Sequence, residues 1–512
     1  MTGAETIAAV STAPGEGGIG VVRLSGDRAV EILSEVFVPG KNPYHGTYHG
    51  DGAVDSDSDH GDGAVDSDHG DGAVDRTSNR GGFADRTMYY GHIIEPSSGE
   101  TVDEALVVYM QGPRSYTGED VCEIQCHGGG VPLRRILEIV CGLGAEPAQP
   151  GEFTKRAFLN GRIDLAQAGA VIDLIKSKTK RGYHSAKEQA EGKLSERIGA
   201  VRGLLLEGLA ELAARIDYPE MFEEEEGNDF DAARPGNPLL EIIDAAADMV
   251  EEMLESAEAG RRIRDGIRVC IIGKPNTGKS SLFNALARED AAIVTAAPGT
   301  TRDAIEVWLD VRGVPVLLSD TAGIRKSEGE IETLGIERAK EQYRKAELSI
   351  FLLDGSEELT EEDFEIAKSL DPEKKHIVAI NKSDLPGMVE KKTAAKILPF
   401  DFDEKEIAKI SLINDKDRRE AVALLEGKVY DFVLGGIAAG TSLLVTTARH
   451  KFLLEKALSE IGAAKGALLA KEAPEYIEVS LRAAWNSLGE VTGETARAEI
   501  IERVFEDFCV GK

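Results

Sequence analysis

Apolar residues recur along this chain with two different periods, and the switches between them divide it. "ETIAAVSTAP", "GIGVVRLSG", "TMYYGHII", "EALVVYMQGP" and "VCEIQCHGG" are short apolar or alternating runs bounded by Gly, Pro and Ser, which predicts strands; "VPLRRILEIVCGLG" predicts a helix. From about Asn160 the spacing becomes helical. Leu194, Ile198, Val201, Leu205, Leu209 and Leu212 follow the i, i+4, i+7 period of an amphipathic helix. "YPEMFEEEEGNDFD" interrupts that pattern, with Glu223 to Glu226 read as a solvated loop, "NPLLEIIDAAADMVEEMLESAEAG" resumes it, and "RRIRDG" reads as a linker. Between Ile267 and about Val433, the runs "RVCIIG", "PVLLSD", "LSIFLLD" and "HIVAIN" alternate with helical stretches, the signature of βαβ units and a parallel sheet. Helix then returns: Leu454, Leu458, Ile461 and Leu468 share a face, and Ile500, Ile501, Val504, Phe505 and Phe508 form the stripe of the last helix. The expected organisation is multidomain. An α+β domain spans 1–159, a discontinuous all-α domain spans 160–265 and 434–512, and an α/β domain is inserted at 266–433.

A length of 512 residues agrees with two to four domains. No apolar run approaches the ~20 residues of a membrane span, and the first residues lack the basic-then-apolar order of a secretory signal. Five cysteines at irregular spacing argue against a disulfide framework and for a reducing, cytoplasmic setting. A net charge of −32 disfavours general attraction to phosphate backbones, so any nucleic-acid contact must use a local basic patch. The basic stretch Lys176, Lys178, Lys180, Arg181, Lys187 and Lys193 is one candidate, although a solvated helix face is the better reading of it. Residues 51–76 form a threefold acidic near-repeat. Asp55, Asp57 and Asp59 alternate as calcium ligands would, but His60 stands where a calcium loop needs Gly and Asp66 where it needs Glu. A disordered, solvated insertion is the better reading.

The chemistry concentrates in the inserted domain. "GKPNTGKSS" follows the strand "RVCIIG" and precedes the helical "SLFNALA", the context that a phosphate-binding G-x-x-x-x-G-K-S loop requires. Gly273 and Gly278 allow the tight turn that aims N–H groups at phosphate oxygens, Lys279 neutralises the β- and γ-phosphates, and Ser280 offers its hydroxyl to Mg²⁺. "GTTRD" supplies switch hydroxyls, and "DTAG" places Asp320 toward Mg²⁺ through water and the Gly323 N–H toward the γ-phosphate. "NKSD" ends in Asp384, which can accept from both N1–H and the 2-amino group of guanine. Adenine lacks that pair of donors, so the nucleotide is GTP. "ISL" at 410–412 is a candidate for the last base-contacting loop. After "DTAG" stands Ile324, which cannot orient a water as glutamine does in Ras-type enzymes. Glu328, Glu330 and Glu332 are acidic candidates for that task, and a cation held with help from Asn276 could stabilise charge between the phosphates.

With "GEGGIGVVRLSG", "SYTGEDVCEIQCHGG", "PGEFTKRAFLNGRIDLAQA", "VTAAPGTTRD", "DTAGIRKSEGEIETLGIERA" and a terminal "CVGK" added to these motifs, nearly the whole chain resembles the MnmE (TrmE) family of tRNA-modifying GTPases. The resemblance implies an N-terminal domain that dimerises and binds folate, a discontinuous helical domain and an inserted Ras-like G domain. It extends the GTP-binding set to Gly273, Asn276, Thr277, Gly278, Lys279, Ser280, Ser281, Thr295, Ala296, Ala297, Pro298, Gly299, Thr300, Thr301, Asp320, Thr321, Ala322, Gly323, Asn381, Lys382, Ser383 and Asp384. It implies K⁺ at Asn276, Thr300 and the backbone oxygens of Thr295 and Ala297, and Mg²⁺ at Ser280 and Thr301. It assigns the water-orienting carboxylate to Glu332 and contacts with a 5-formyl- or methylene-tetrahydrofolate to Arg23, Glu123, Arg162 and Lys512, with Arg162 where the family often has lysine. The implied partners are a second copy of the chain, the FAD-dependent MnmG and tRNA. The implied product carries an aminomethyl or carboxymethylaminomethyl group at C5 of the wobble uridine. A GTPase switch in ribosome assembly, without tRNA chemistry, is the competing reading; it would not need the N-terminal domain or the terminal Cys-x-Gly-Lys. The acidic repeat departs from the short loop usual in the family.

Two cysteine motifs remain. "CEIQCH" places Cys122 and Cys126 on one face of a strand at a spacing that fits no common zinc site, so buried thiols are expected, with Cys141 and Cys270 also in the core. "FCVGK" has lysine where a prenylation box ends in a small or apolar residue, and the preceding "EIIERVFEDF" is acidic. An amphipathic helix delivering a thiol, a flexible Gly511 and a cationic end remains. The resemblance would place Cys509 near the folate one-carbon unit, as a functional thiol with nucleophile as one role.

Overall fold

Alternation of more and less buried positions along 19–25, 101–110 and 121–127 builds the centre of the first sheet in the computed structural model, which describes residues 5–40, 82–218, 237–289, 306–320, 340–435, 437, 442, 444–506 and 508–511. Two units are present, Met1–Asp164 with Arg497–Lys512, and Leu165–Ala496. The acidic repeat and the run Glu223 to Glu226 lie outside the described residues.

In the first unit β1 (Ile7–Val10), β2 (Ile19–Ser25), α1 (Ala29–Val36), β3 (Phe37–Pro39), β4 (Met88–Ile94), β5 (Thr101–Met110), β6 (Val121–His127), α2 (Gly130–Gly142), β7 (Glu146–Pro147) and α3 (Glu152–Leu159) follow in order. The sheet runs β3-β4-β5-β6-β2-β1-β7. Val22, Leu24, Val107, Tyr109, Cys122 and Ile124 face one side and pack on α1 and α2. The residues between them, Arg23, Ser25 and Glu123, face the other side, where α3 inserts Phe153 against Ile7, Ala9 and Ala148. Helix α1 and strand β3 were not legible in the pattern; eight and three residues are too few to display a period. Cys141, expected in the core, is half-exposed on α2, whereas Cys122, Cys126 and Cys270 are buried.

The second unit opens with α4 (Leu165–Lys176), α5 (Lys180–Ala190), α6 (Lys193–Asp217), α7 (Pro238–Glu255) and α8 (Ala257–Asp265). Asn237 caps α7 by accepting from the N–H groups of Leu239 and Leu240, with Pro238 in the first turn where its missing N–H costs nothing. An α/β segment follows: β8 (Ile267–Ile272), α9 (Lys279–Glu289), β9 (Glu306–Val311), β10 (Val314–Asp320), β11 (Leu348–Asp354), α10 (Glu361–Lys368), β12 (Lys375–Asn381), α11 (Lys391–Lys396), β13 (Ala408–Lys409) and α12 (Asp415–Leu434). Its sheet runs β13-β12-β11-β8-β10-β9, parallel except for the β9–β10 hairpin. β11 is buried at all seven positions, as a strand covered on both faces must be. Then α13 (Ala448–Leu469) and α14 (Pro474–Thr492) return to the helical part. Leu194, Ile198, Val201, Leu205 and Leu212 of α6, Ile243 and Val250 of α7, Leu454 and Ile461 of α13, and Leu481 and Leu488 of α14 share one core, so the segments on either side of the insertion pack together. The last helix, α15 (Ala498–Glu506), groups with the first unit instead of with the helices that precede it, burying Phe505 6.4 Å from the Phe158 ring of α3.

One buried group in the helical part predicts an acid response. His450, in the first turn of α13, is buried and its Nδ1 has no hydrogen-bond partner. Burial first, then the charges of Arg449 and Arg264, push its pKa down to about 3. The unfolded chain takes up a proton at His450 below about pH 6.5 that the folded chain refuses, so stability falls as pH drops from there, by roughly 1.4 kcal/mol per unit. Between pH 7 and pH 5 this site should remove about 2 kcal/mol, seen as a lower thermal midpoint. His450→Gln should lessen that slope; an equal slope in the variant would refute the assignment.

Candidate functional site

The C-terminal ends of the parallel strands carry the site, where such sheets place their ligands. β8 runs into the 273–280 loop, and α9 begins at Lys279, so Ser280 and Ser281 lie in a first helical turn whose N–H groups have no helical partner. Gly273 and Gly278 adopt φ of 150° and 100°. A Cβ on Gly273 would lie 2.3 Å from the Leu352 carbonyl oxygen, and one on Gly278 2.3 Å from Asn381 Nδ2. Asn276 is left-handed at φ 65°. The Lys279 ammonium donates to the carbonyls of Gly273 (2.8 Å) and Lys274 (2.6 Å), and the Thr277 hydroxyl donates to Lys274 O (3.1 Å), so the loop is braced from inside. Asp320 ends β10 in register with Ile271 of β8, at the start of the same loop.

The base loop is tied to this one. Asn381 Nδ2 donates to the Thr277 carbonyl at 2.8 Å, while its buried Oδ1 has no partner. Lys382 lies 2.5 Å from Asp354 Oδ2. Ser383 N–H donates to Ile410 O, and Asp384 Oδ1 accepts from the Ser411 hydroxyl at 2.7 Å, so the 410–412 stretch lies against the loop. A cradle of backbone N–H groups, an ammonium, a helix-start hydroxyl and a carboxylate suits a magnesium-bound guanine nucleotide. Thr295, Ala296, Ala297, Pro298, Gly299, Thr300, Thr301, Thr321, Ala322, Gly323, Glu332 and Lys512 lie outside the described residues. Asp354 and Ser411 were not singled out from the sequence: Ser411 stood inside a candidate loop, and Asp354 reads only as the end of an apolar run.

A second cluster occupies the α3 side of the first unit's sheet. The β2–β6 pairing sets Arg23 opposite Glu123, and Arg23 Nε and Nη2 donate to Glu123 Oε1 at 3.0 and 2.8 Å. The Arg23 guanidinium lies 5.9 Å from the Tyr116 ring and 5.7 Å from Phe153; the Arg162 guanidinium lies 5.5 Å from Tyr116 and donates to Ser115 O. Tyr116, which lies within "SYTGEDVCEIQCHGG" but was given no role there, thus links the two arginines. The C-terminal tail is fixed in this unit. Val510 bridges to Pro150, Gly151 N–H donates to Cys509 O (3.3 Å), and the Ser11 hydroxyl donates to Gly511 O (3.0 Å). Gly511 is buried at φ 91°, and a Cβ there would sit 2.3 Å from Val10 O; close backbone approach, more than flexibility, requires this glycine. Cys509 is exposed.

Other candidates are absorbed elsewhere. Burial raises Cys126 to about 11 and raises Cys122 further, so neither is a ready thiolate, and no group of three or more His, Cys, Asp or Glu is placed to hold a metal among the described residues. The basic stretch is drawn into contacts within the chain: Lys178 lies over Trp308 at 3.1 Å, Arg181 donates to the Tyr430 hydroxyl, and Lys187 and Lys193 pair with Glu191 and Glu188. Among the described residues, no helix is long and apolar enough to cross a membrane.

Comparison with known proteins covers nearly the whole chain. Residues 165–509 match the family described as the MnmE helical domain, and residues 6–162 match the one described as GTP-binding protein TrmE N-terminus. Proteins described as tRNA modification GTPase MnmE are similar end to end. The protein of Alkaliphilus oremlandii (strain OhILAs) is 43% identical over 508 residues, that of Alkaliphilus metalliredigens (strain QYMF) 42% over 508, each alignment covering 99% of both chains. The protein of Geobacillus kaustophilus (strain HTA426) is 40% identical over 516, covering 100% of both.

Proposed function

We propose a potassium-dependent GTPase cycle coupled to folate chemistry for this chain, which belongs to the MnmE family of tRNA modification GTPases and hydrolyses GTP in tRNA modification. The phosphate loop holds the β- and γ-phosphates on its N–H groups and Lys279. Ser280, with Thr301, holds Mg²⁺, which neutralises charge between those phosphates. Asn276, Thr300 and the backbone oxygens of Thr295 and Ala297 hold K⁺, and the left-handed turn at Asn276 presents that residue's side chain at the loop surface. Glu332 orients the attacking water, the task that Ile324 cannot perform. Two G domains meet across these switch segments, and hydrolysis drives the cycle.

The Arg23–Glu123–Tyr116–Arg162 cluster, with Lys512, receives a 5-formyl- or methylene-tetrahydrofolate. The carboxylate suits pterin N–H donors, the aromatic ring suits the planar ring system, and the cationic groups suit the anionic glutamyl tail. Met88, Tyr90 and Leu106 are exposed on the same side of the sheet, an apolar surface suited to a second copy of the chain. With an FAD-dependent MnmG partner, the one-carbon unit becomes an aminomethyl or carboxymethylaminomethyl group on C5 of the tRNA wobble uridine. The observation that carries this reading is the anchored tail. Its path past Ser11 and Pro150 runs beside the strand pair that bears Arg23, which supports the folate reading over that of a GTPase switch alone.

One experiment tests both halves: a deletion strain complemented with variants, assayed for wobble-uridine mass and for K⁺-stimulated GTP hydrolysis. Glu332→Ala should lower GTP turnover by about 10²-fold and abolish modification. Cys509→Ser should keep hydrolysis and lose modification. Full turnover in Glu332→Ala removes that residue from the mechanism, and normally modified uridine in the uncomplemented strain refutes the tRNA reading.

A further inference from the structure

The connection that leaves β11 belongs to none of the signature motifs, yet it grips the base loop at three points. Asp354 ends β11 directly opposite Asn381 in the β11–β12 register. The next residue, Gly355, donates its N–H to Asn381 O at 2.8 Å, and a Cβ on Gly355 would lie 2.8 Å from that same oxygen. Beyond the loop, Met388 N–H donates back to Gly355 O. The third point is ionic. Asp354 is 2% exposed; its Oδ1 accepts from the N–H and hydroxyl of Ser356 at 2.9 and 2.6 Å, which turns Oδ2 toward Lys382 Nζ at 2.5 Å.

Lys382 needs such a hold. It is a non-glycine residue at φ 62°, a backbone conformation that costs L-residues energy and persists only where surroundings enforce it. It stands between Asn381, which is tied to the phosphate loop, and Asp384, the acceptor for the base in the reading above, and its methylene stem joins this backbone to the ammonium. With its ammonium drawn inward to Asp354, that stem is fixed along the edge of the loop. Burial opposes the charge on Asp354, but Lys382 and Ser356 outweigh it and hold the carboxyl below its ordinary range.

We propose that Asp354 is a positioning residue for guanine nucleotide binding, acting through Lys382 and oriented by Ser356. This rests on the nucleotide-site reading above. It predicts a loss that appears in affinity and KM but not in turnover, because none of the three groups lies at the phosphates.

The test is titration of a fluorescent GDP analogue into the full-length protein and its variants, with steady-state GTP hydrolysis alongside. Asp354→Asn should weaken binding about tenfold, the scale of losing one buried charge-assisted contact, and raise KM in parallel with kcat within about twofold. Lys382→Gln should weaken binding about as much, and the double variant should be no weaker than Lys382→Gln alone, the non-additivity expected when one residue acts through another. Ser356→Ala should give a loss of about threefold that vanishes in the Lys382→Gln background, and this pair decides the matter if Asp354→Asn does not fold. Multiplying losses in the double variants, or unchanged affinity in a folded Asp354→Asn, would overturn the proposal. Failure of the unaltered protein to bind the analogue would instead overturn the nucleotide-site reading, and the proposal with it.

Discussion

Gly278→Ala will bind GDP about 10³-fold more weakly than the unaltered protein while keeping its circular dichroism spectrum. The loss is built from two terms. At φ 100° an alanine is strained by roughly 1–2 kcal/mol, since its Cβ crowds the following carbonyl. That same Cβ would stand 2.3 Å from Asn381 Nδ2, far inside van der Waals contact, so Asn381 must move. Its 2.8 Å hydrogen bond to the Thr277 carbonyl then breaks in a buried setting, which costs about 1–3 kcal/mol when a partner is left unpaired. Together the terms reach about 4 kcal/mol, or nearly three decades of affinity. The strain is expressed where the phosphates bind, because the loop escapes it by turning its N–H groups away. Calorimetric titration decides the point; a Kd within threefold of the unaltered protein would show that Asn381 yields freely and that the two loops are not coupled.

That coupling marks the limit of what the chain discloses as a string. "GKPNTGKSS" and "NKSD" are legible separately, because each carries its candidate chemistry on residues close together in sequence. Their contact is not, since Asn381 lies 104 residues beyond Thr277 and only the parallel order β8-β11-β12 brings them together. Helices with a long stripe, such as that from Leu194 to Leu212, were readable because one face meets one core. The residues that hold functional groups in place were not. Asp354 looks like the polar end of a buried strand, Ser411 like a loop serine, and Tyr116 like any aromatic. Lys274 is buried beside Asp363 at 3.0 Å, a pair formed across a loop and a helix start that no local pattern announces. The alkaline run around Lys178 shows the converse. Sequence presents it as a basic face, while in the fold Lys178 lies over Trp308, Arg181 meets Tyr430, and Lys187 and Lys193 pair with neighbouring glutamates at the surface.

The first unit follows the same logic. Arg23 and Glu123 meet because β2 and β6 are antiparallel neighbours in a particular register; a slip of one residue would put them on opposite faces. Residues 497–512 were expected with the helical segment because they continue its helical pattern. They join the first unit because Phe505 finds its apolar surroundings against α3, and because the tail beyond it pairs with Pro150. One turn region, Gly493 to Arg497, carries the backbone from one unit to the other.

Asp384→Asn should exchange guanine for xanthine nucleotides. The carboxylate can accept two hydrogen bonds, from N1–H and the 2-amino group of guanine, and the Ser411 hydroxyl donating to Oδ1 at 2.7 Å fixes the plane in which it would do so. An asparagine that keeps its oxygen toward Ser411 turns an NH₂ group toward the base. Against guanine, that places donor against donor and leaves both unpaired, a mismatch that costs about 10⁴-fold where a site is built to hydrogen-bond its ligand. Xanthine carries an oxygen in place of the amino group, so the same NH₂ finds an acceptor and the N1–H still meets an oxygen. GTP should therefore lose about 10³-fold or more in kcat/KM, while XTP is turned over within about tenfold of the original GTP rate, since nothing at the phosphates has changed. Gain of XTP turnover is the informative half, because misfolding can remove an activity but cannot create one. Unchanged GTP turnover with no gain of XTP turnover would place the base acceptor elsewhere than Asp384 and would leave the Ser411 contact as a loop brace alone.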